Sequence, residues 1–592
     1  MSQQENNGMQ KHFYRASAVD FKKMSGSPVA YWLPRSALAA LDKTNRLDAV
    51  SEPRKGMCTR DNDYFVRYWY EVSFEGIGFN CNSRIESKKS GKKWFPYQKG
   101  GEFRLWYGNQ LSVVDWEDDG YKLLNMENLG WKGNSTNHNL DYIFKPAIVW
   151  SKITSSIPSF RLSDVGYLYD DASGLCFVND YKNTKSVLGF LCSKVGRFYM
   201  NVINPTLNIQ PGNMAAMPYL HLNSQVIVEN IVDLSKADWD CFEVSWDFSV
   251  LELCISKQPK LKGIYLGLRS KWRESSIEMQ RLEEENNRLF IDAYGLQDEL
   301  TPEVPLSEIT LTCNPHYRYG GNLTDEEREA RLQSDTISEL ISYSIGCMMG
   351  RYSLDREGLV YAHAGNEGFK ALVEEGAYDT FAADEDGILP LSTDSWFDDD
   401  VATRLEAFVC TVWGKETLEE NLQFIADSLC LAAIKPVKKG SETSRETIRR
   451  YLSTQLYKDH LKTYKKRPIY WLFSSGKEKA FECLVYLHRY NEATLPRMRT
   501  EYVTPLLGQM AGRIERLRLQ QTEASTSDAK CIGKKIDSLT KQLAELRAFD
   551  DQLKHHADMR IRLDLDDGVK VNYGKFGTLL SDVKAITGDK GE

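Results

Sequence analysis

The chain has 592 residues, 42% hydrophobic and 27% charged, with a formal net charge of -8. These values exclude a disordered or fibrous protein and leave room for about three or four globular domains. No run of 18 apolar residues occurs and the segment 1–11 is polar, so we expect neither export nor membrane insertion. The twelve cysteines form no C-x-x-C pair, which favours reduced core thiols in a cytoplasmic protein.

The amino-terminal part predicts a β-rich domain. Residues from about 20 to 180 contain short aromatic and β-branched runs broken by Gly, Asn and Asp. The runs 64–72, 146–153 and 174–178 are predicted strands. Residues 1–19 are predicted to be a flexible terminus.

A basic and aromatic segment, residues 92–109, interleaves four cations with six aromatic residues. Between Arg84 and Arg104, seven Lys or Arg face two Glu, a local excess of five positive charges. Cations neutralise phosphates, aromatic faces stack on bases, and Arg can bond a base edge in two places. The segment therefore predicts DNA contact, and the alternative is a solvated basic loop beside an ordinary aromatic core. The residues predicted to contact DNA here are Lys92, Lys93, Trp94, Tyr97, Lys99, Arg104, Trp106 and Asn109.

A helix is predicted over residues 186–203, because apolar residues recur on one face and the pattern stops at Asn204-Pro205. Lys194 and Arg197 lie on its other face and are further candidate DNA contacts. In the loop that follows, Asn208 and Gln210 are predicted to bond adenine edges, and the alternative is that they cap a turn.

Helices dominate the rest of the predicted structure. An amphipathic helix over 277–294 closes the first domain, and 301–305 reads as a linker. Residues 325–431 are acidic and helical, which suits a protein partner better than DNA. The carboxylate runs 384–386 and 398–400 could hold a metal or form a solvated acidic face. The lysine-rich run 458–467 is a second candidate phosphate contact, or an ordinary helix surface.

The carboxy-terminal part contains one face of a long helix, at Ile532, Ile536, Leu539, Leu543, Leu546 and Leu553. An earlier helix around residues 507–517 is predicted to pair with it as an antiparallel hairpin. The predicted fold class is α+β. The predicted domains are a target-recognition domain at 20–300, an acidic helical domain at 301–440, and a helical domain with the hairpin at 441–592.

The basic and aromatic segment resembles a signature of the PglX family, the adenine-specific DNA methyltransferases of BREX phage-defence systems. The resemblance continues in order along the chain, through residues 21–32, 56–65, 342–355, 467–476 and 564–573. In the second of these segments Arg60 stands where the family has Gly.

Family members also carry an amino-terminal catalytic half with a cofactor loop and an Asn-Pro-Pro-Tyr motif. The run 74–78 imitates the cofactor loop but lacks the βαβ context, and Asn314-Pro315-His316-Tyr317 has His where the second Pro belongs. The resemblance implies DNA target recognition and complex assembly for a site-specific adenine-N6 methyltransferase, with the S-adenosylmethionine-binding half not present. The implied partners are double-stranded DNA and the catalytic half or other BREX proteins. No catalytic, cofactor-binding or metal residues are expected here.

Two other classes of function stay open. One is a non-catalytic anti-phage scaffold that does not bind DNA, which a gel shift across a salt series would distinguish. The other is a stand-alone nuclease or hydrolase, which needs an activated nucleophile or clustered metal ligands. The sequence contains no Gly-x-Ser-x-Gly, His-Glu-x-x-His or Walker motif, which disfavours this second class.

Overall fold

The computed structural model describes residues 32–154, 157–391, 396–437 and 442–588. Helix accounts for 53% and strand for 11% of the chain, with small sheets early and helices later, which confirms a mixed α+β class. The predicted flexible terminus 1–19 and nearly all of the family-like segment 21–32 lie outside the described residues. None of the helices in the described ranges is long and apolar enough to cross a bilayer.

The chain forms two compact units. Within the described residues, unit 1 comprises 32–66, 76–240 and 270–322, and unit 2 comprises 67–75, 241–269 and 323–588. Each unit is therefore assembled from separate stretches of sequence. The domain boundaries predicted from the sequence, near residues 300 and 440, stay predictions.

Unit 1 contains most of the strands. They are β1 (Asn45–Arg46), β2 (Ser51–Lys55), β3 (Val66–Tyr68, which continues into unit 2), β4 (Trp94–Gln98), β5 (Ser112–Asp115), β6 (Ala147–Ser151), β7 (Phe160–Ser163), β8 (Leu168–Tyr169), β9 (Ser173–Val178) and β10 (Pro218–Tyr219). One sheet has the order β2-β9-β6-β7 and is antiparallel. In a second sheet β4 pairs antiparallel with β5 and parallel with β8, and β1 pairs with β10.

The predicted strands had mixed outcomes. β6 and β9 confirm the strands at 146–153 and 174–178. The strand predicted at 64–72 is wrong except for β3, because side chains take the backbone N–H groups on either side of it. Asp61 accepts from the Tyr64 N–H and caps the helix Asn62–Phe65, and Glu71 accepts from the Tyr68 N–H at the start of a short 3₁₀ turn.

The helices of unit 1 alternate with these strands along the chain. They are Arg35–Leu41, Asn62–Phe65, Arg84–Ser90, Glu117–Leu124, Thr184–Cys192, Lys194–Ile203, Pro211–Ala215, Gln225–Asp240 and Pro315–Arg318. The single helix predicted over 186–203 is wrong, because Ser193 separates two helices. Its extended backbone ends the first helix, and its hydroxyl accepts from the Gly196 N–H to cap the second.

Arg60, which stands where the family pattern has Gly, has a left-handed backbone conformation. Its φ is +63°, in the left-handed region where glycine costs least. Its Nε donates to the carbonyl of Asn134 at 2.6 Å, and this bond helps to hold the conformation. Arg60 therefore takes a backbone conformation that favours glycine, the residue found at this position in the family pattern.

Unit 2 is mainly helical. Its helices are Glu252–Ile255, Asp325–Met348, Phe369–Glu374, Val401–Trp413, Leu418–Ala432, Ser444–Thr454, Leu456–Thr463, Thr494–Arg497, Thr504–Glu523, Thr526–Asp558, Gly568–Gly574 and Val583–Thr587. One antiparallel sheet has the order β11 (Ile388–Pro390), β13 (Glu482–Tyr486), β12 (Tyr470–Ser474). A 34-residue helix, Leu261–Tyr294, begins in unit 2 and ends in unit 1, so the amphipathic helix predicted at 277–294 is confirmed but starts earlier.

The predicted carboxy-terminal hairpin is confirmed. Thr504–Glu523 and Thr526–Asp558 are joined by a short turn at which Ser525 accepts from the Asp528 N–H. The predicted apolar face is largely buried in one core with β12 and β13, through Ile536, Leu539, Leu543, Leu546, Phe549 and Leu553. Burial of this periodic stripe is what stabilises so long a helix in water.

Candidate nucleic-acid interface

The aromatic residues predicted to stack on bases form part of the core of unit 1. Trp94, Tyr97 and Trp106 are each 1% exposed. Trp94 and Tyr97 lie in β4, whose five residues are all buried between β5 and β8, and the Tyr97 hydroxyl donates to the Met57 carbonyl at 3.1 Å. The alternative of an ordinary aromatic core therefore describes these side chains, and no base can reach them in this conformation.

Arg104 is also a core residue, with a side chain only 4% exposed. Its Nη2 forms an ion pair with Asp238 at 2.7 Å, and its Nη1 donates to the Thr312 hydroxyl at 2.8 Å. Its Nε donates to the Tyr107 carbonyl at 2.9 Å, and the guanidinium lies 5.1 Å above the Trp239 ring. Its three guanidinium nitrogens are thus engaged inside the protein, so the predicted base contact has no geometric support.

Trp106 brings a second buried carboxyl group into unit 1. Its Nε1 donates to Glu283 at 2.8 Å on the long helix. Burial raises the pKa of Glu283 to about 8, because removal from water disfavours the charged form. Asn109 is likewise used internally, since its amide donates to the Glu102 carbonyl at 2.9 Å from a left-handed backbone.

The three lysines of the basic and aromatic segment lie nearer to solvent. Lys99 is held 3.5 Å from Asp170. Lys92 and Lys93 are half-buried, and the Lys93 ammonium lies 5.4 Å from the centre of the Trp94 ring. Of the four cations predicted in this segment, these three are partly exposed, whereas Arg104 is buried.

Lys194 and Arg197 contact residues within and just after the segment 301–305 that had been predicted to be a linker. The Lys194 ammonium donates to the carbonyl of Glu303, and Arg197 pairs with Glu308 at 2.9 Å. These bonds explain why residues 301–322 belong to unit 1. The ion pair with Glu308 compensates the charge of Arg197, which lowers the attraction of this helix for DNA.

The loop 204–212 is shaped by its own side chains. The Asn204 amide donates to the carbonyls of Thr206 and Asn208 at 3.2 and 3.1 Å. Gln210 caps the helix Pro211–Ala215 in a reciprocal arrangement with Asn213, whose side chain accepts from the Gln210 N–H at 2.8 Å. Asn208 is exposed. The turn-capping alternative therefore holds for Gln210, whereas Asn208 is still positioned to meet a ligand.

The two motifs that imitate methyltransferase signatures have structural roles. The Asn314 amide donates to the carbonyls of Leu306 and Ile309 at 2.7 and 2.9 Å, and its oxygen caps the helix Pro315–Arg318. A Cβ added to Gly78 would lie 2.4 Å from the Phe95 ring. Close packing thus accounts for this glycine, and Asn314, 1% exposed, binds the backbone of its own segment.

The acidic runs are partly solvated, through the exposed Glu385 and Asp398, and partly used in local hydrogen bonds. Among the described residues, no group of three or more His, Cys, Asp or Glu side chains is arranged to hold a metal. Asp384 accepts from the N–H groups of Asp386 and Gly387, and Asp400 caps the helix Val401–Trp413. Burial raises the pKa of Asp386 to about 7, and its carboxylate accepts from the Tyr502 hydroxyl at 3.1 Å.

The family-like segment 342–355 builds the core of unit 2. Arg351 is fully buried and donates to the hydroxyls of Tyr352 and Tyr486 at 3.2 and 2.9 Å. Glu243 accepts from the Tyr464 hydroxyl at 3.0 Å, and burial raises the pKa of Glu243 to about 7. Perturbed groups often mark active sites, but these are sealed from substrate and serve packing.

Exposed cations lie outside the basic and aromatic segment, at one predicted and one unpredicted position. In unit 2, Lys458, Lys462, Lys465 and Lys466 are exposed around the end of one helix, as the predicted second phosphate contact requires. In unit 1, Lys88 and Lys89 are exposed at the end of the helix Arg84–Ser90. The signal for Lys88 and Lys89 was present in the charge excess between Arg84 and Arg104, which we attributed to the aromatic part of that run.

Nearly the whole chain is homologous to proteins named as adenine-specific methyltransferases, although no family model matches it. It is 48% identical over 583 residues to BrxX of Escherichia coli O9:H4 (strain HS), covering 97% of this chain and 46% of that protein. It is 36% identical over 591 residues to PglX of Lacticaseibacillus casei (strain Zhang), with the same two coverages. The chain is thus homologous to a portion of PglX and BrxX proteins, and it spans about half the length of these curated relatives.

Proposed function

We propose that this chain provides DNA target recognition and complex assembly for a site-specific adenine-N6 methyltransferase of a BREX phage-defence system. The observation that carries the proposal is the alignment of 97% of the chain with two adenine-specific methyltransferases. We place the S-adenosylmethionine site and the Asn-Pro-Pro-Tyr motif in the part of those relatives that the alignment leaves uncovered. That part would flip the target adenine and transfer the methyl group, while this chain selects the site.

Accessible cations support a role in holding the DNA backbone. Lys92 and Lys93 in unit 1 and Lys458, Lys462, Lys465 and Lys466 in unit 2 reach the surface of a chain whose net charge is -8. Phosphate contacts of this kind position a protein on duplex DNA without reading sequence. Sequence reading is then left to exposed polar groups such as Asn208, whose amide can bond an adenine edge in two places.

The test is fluorescence anisotropy of the full chain with labelled duplex DNA from about 50 to 200 mM salt. We expect binding that weakens linearly on a logarithmic salt scale, because cations that neutralise phosphates release counterions. A chain that binds no duplex at the lowest salt would instead be the non-catalytic scaffold. Mixing the chain with the uncovered part of Escherichia coli BrxX, then measuring adenine methylation, tests the assembly role.

We also propose that the cofactor binds outside this chain. Titration calorimetry of the chain alone with S-adenosylmethionine should give no binding heat, whereas the reconstituted mixture should bind. Micromolar binding by this chain alone would overturn the proposal and make it a catalytic chain.

A further inference from the structure

A surface groove in unit 1 gathers positive charge just before the basic and aromatic segment in the sequence. It has a volume of about 540 Å³ and lies between the helix Arg84–Ser90 and residues 140–145. Its lining includes four cations, Arg84, Lys88, Lys89 and Lys145, and two carboxylates, Asp119 and Asp141. The groove is therefore net positive on a chain that is net negative.

Some of these cations form ion pairs and others do not. Arg84 is held by Asp119 through hydrogen bonds of 2.9 and 2.7 Å, which cancels both charges. Lys88 and Lys89 are exposed and form no ion pair with any residue that the structure describes. The Lys145 ammonium lies 5.0 Å from the centre of the Tyr142 ring. Hydrogen bonds from Tyr142 and Arg54 are the main causes that lower the pKa of Glu52, and the Lys145 ammonium is one of the charges that also lower it. Lys88 and Lys89 therefore carry the uncompensated positive charge of the groove, against one exposed carboxylate, Asp141.

Helix stability explains only part of this arrangement. Lys88 and Lys89 lie in the last turn of their helix, where cations interact favourably with the helix dipole. That effect needs no groove and does not account for Lys145, which lies on another segment. It also does not account for Ile85, which is 69% exposed beside the lysines.

The apolar part of the groove narrows the choice of ligand. Ile85, Leu140 and Ile143 give it an aliphatic lining beneath the ammonium groups. A sugar–phosphate strand presents anions at regular intervals with apolar deoxyribose faces between them, so it matches cations set around an aliphatic surface. An acidic peptide also alternates anionic and apolar groups, but its charge density is lower. Because DNA condenses more counterions, their release on binding favours DNA as the ligand.

We propose that this groove binds one sugar–phosphate strand of duplex DNA, with Lys88, Lys89 and Lys145 as the phosphate contacts. The inference rests on the proposed function and names the surface that carries it. The proposed contact with the DNA backbone is therefore the helix Arg84–Ser90, and not the buried aromatic residues of β4 that follow it. These contacts hold the duplex and read no base.

The experiment compares two charge-matched double variants of the full chain by anisotropy on duplex DNA. Lys88→Ala with Lys89→Ala removes the groove lysines, and Lys534→Ala with Lys535→Ala removes two adjacent exposed lysines of the carboxy-terminal hairpin. We expect the groove variant to bind roughly tenfold or more weakly at about 100 mM salt, with a salt slope shallower by about two units. The hairpin variant should bind like the parent chain.

A third variant should change the affinity for DNA in the opposite direction. Asp141→Asn removes the exposed carboxylate from the groove and should tighten binding by roughly twofold, an effect that disappears at high salt. All three variants change surface groups, so their thermal unfolding should match that of the parent, which separates loss of binding from loss of folding.

The possible failures are distinguishable. If the parent chain binds DNA and both lysine variants lose affinity equally, there is no dedicated groove site and the inference fails, while the proposed function stands. If the parent binds no duplex at any salt, the proposed function itself fails. If a poly-glutamate peptide binds as tightly as DNA and the groove variant loses it, the groove is a site for an acidic protein and the DNA assignment is overturned.

Discussion

Replacing Arg104 with alanine should destabilise unit 1 strongly and should have no selective effect on DNA recognition. The change removes a buried ion pair and two further hydrogen bonds, and it leaves the Asp238 carboxylate buried without its cation. Breaking a buried pair by removing one partner costs about 3–5 kcal/mol. A folding unit of about 150–250 residues loses roughly 2–4 °C in Tm per kcal/mol, so we expect a decrease of roughly 6–20 °C.

Differential scanning calorimetry of the full chain measures this effect, with Arg281→Ala as the matched control. Arg281 also pairs with two carboxylates, Glu278 and Glu285, but its side chain is 58% exposed. Exposed ion pairs are screened by water, so the control should unfold close to the parent Tm. If Arg104→Ala unfolds like the parent yet loses affinity for a cognate site, the buried placement is wrong and Arg104 reads DNA.

Three more outcomes follow from the structure. The pKa of Glu283 is raised from its ordinary value of 4.5 to about 8 in the folded protein. The protonated carboxyl therefore contributes its full stability to unit 1 below about pH 4.5, and this contribution is lost as pH rises through about 8. Denaturation of Glu283→Gln, which keeps an acceptor for Trp106, should show a weaker loss of stability over that range, and an unchanged pH profile would contradict the burial argument. Gly78→Ala should lower the Tm because of the 2.4 Å approach to Phe95, whereas Gly76→Ala, with its nearest atom 3.7 Å away, should not; equal Tm values for the two would refute the packing explanation. A fragment ending at residue 322 should resist proteolysis better than one ending at 300, since the segment between supplies bonds to unit 1, and equal resistance would show that those bonds are dispensable.

Periodic burial is the part of the fold that the sequence predicted well. β6 and β9 came from runs of β-branched and aromatic residues, and the hairpin came from a heptad-like stripe. Such patterns persist because one face of each element must leave water. The errors at Ser193 and at residues 64–71 have the opposite cause, since one side chain that bonds a neighbouring N–H can end an element without changing its hydrophobic pattern.

For the candidate site, too, some features could be predicted from the sequence and others could not. Homology to a portion of adenine-specific methyltransferases was accessible from ordered motifs along the sequence, and the alignments confirm it. Which cations face solvent was not accessible, because Arg104 and Lys88 lie in one charged run and differ only in their surroundings. Sequence alone predicts a local excess of charge without saying where it is neutralised.

The amino-acid sequence by itself determined the α+β class, the long amphipathic helices, the family resemblance and the local concentration of positive charge. The tertiary structure decided that Trp94, Tyr97, Trp106 and Arg104 are core residues, and that the exposed charge lies around Lys88 and Lys89. The physical reason is that burial and ion pairing depend on residues distant in sequence. Asp238 and Thr312, which fix Arg104, are more than 130 residues away along the chain.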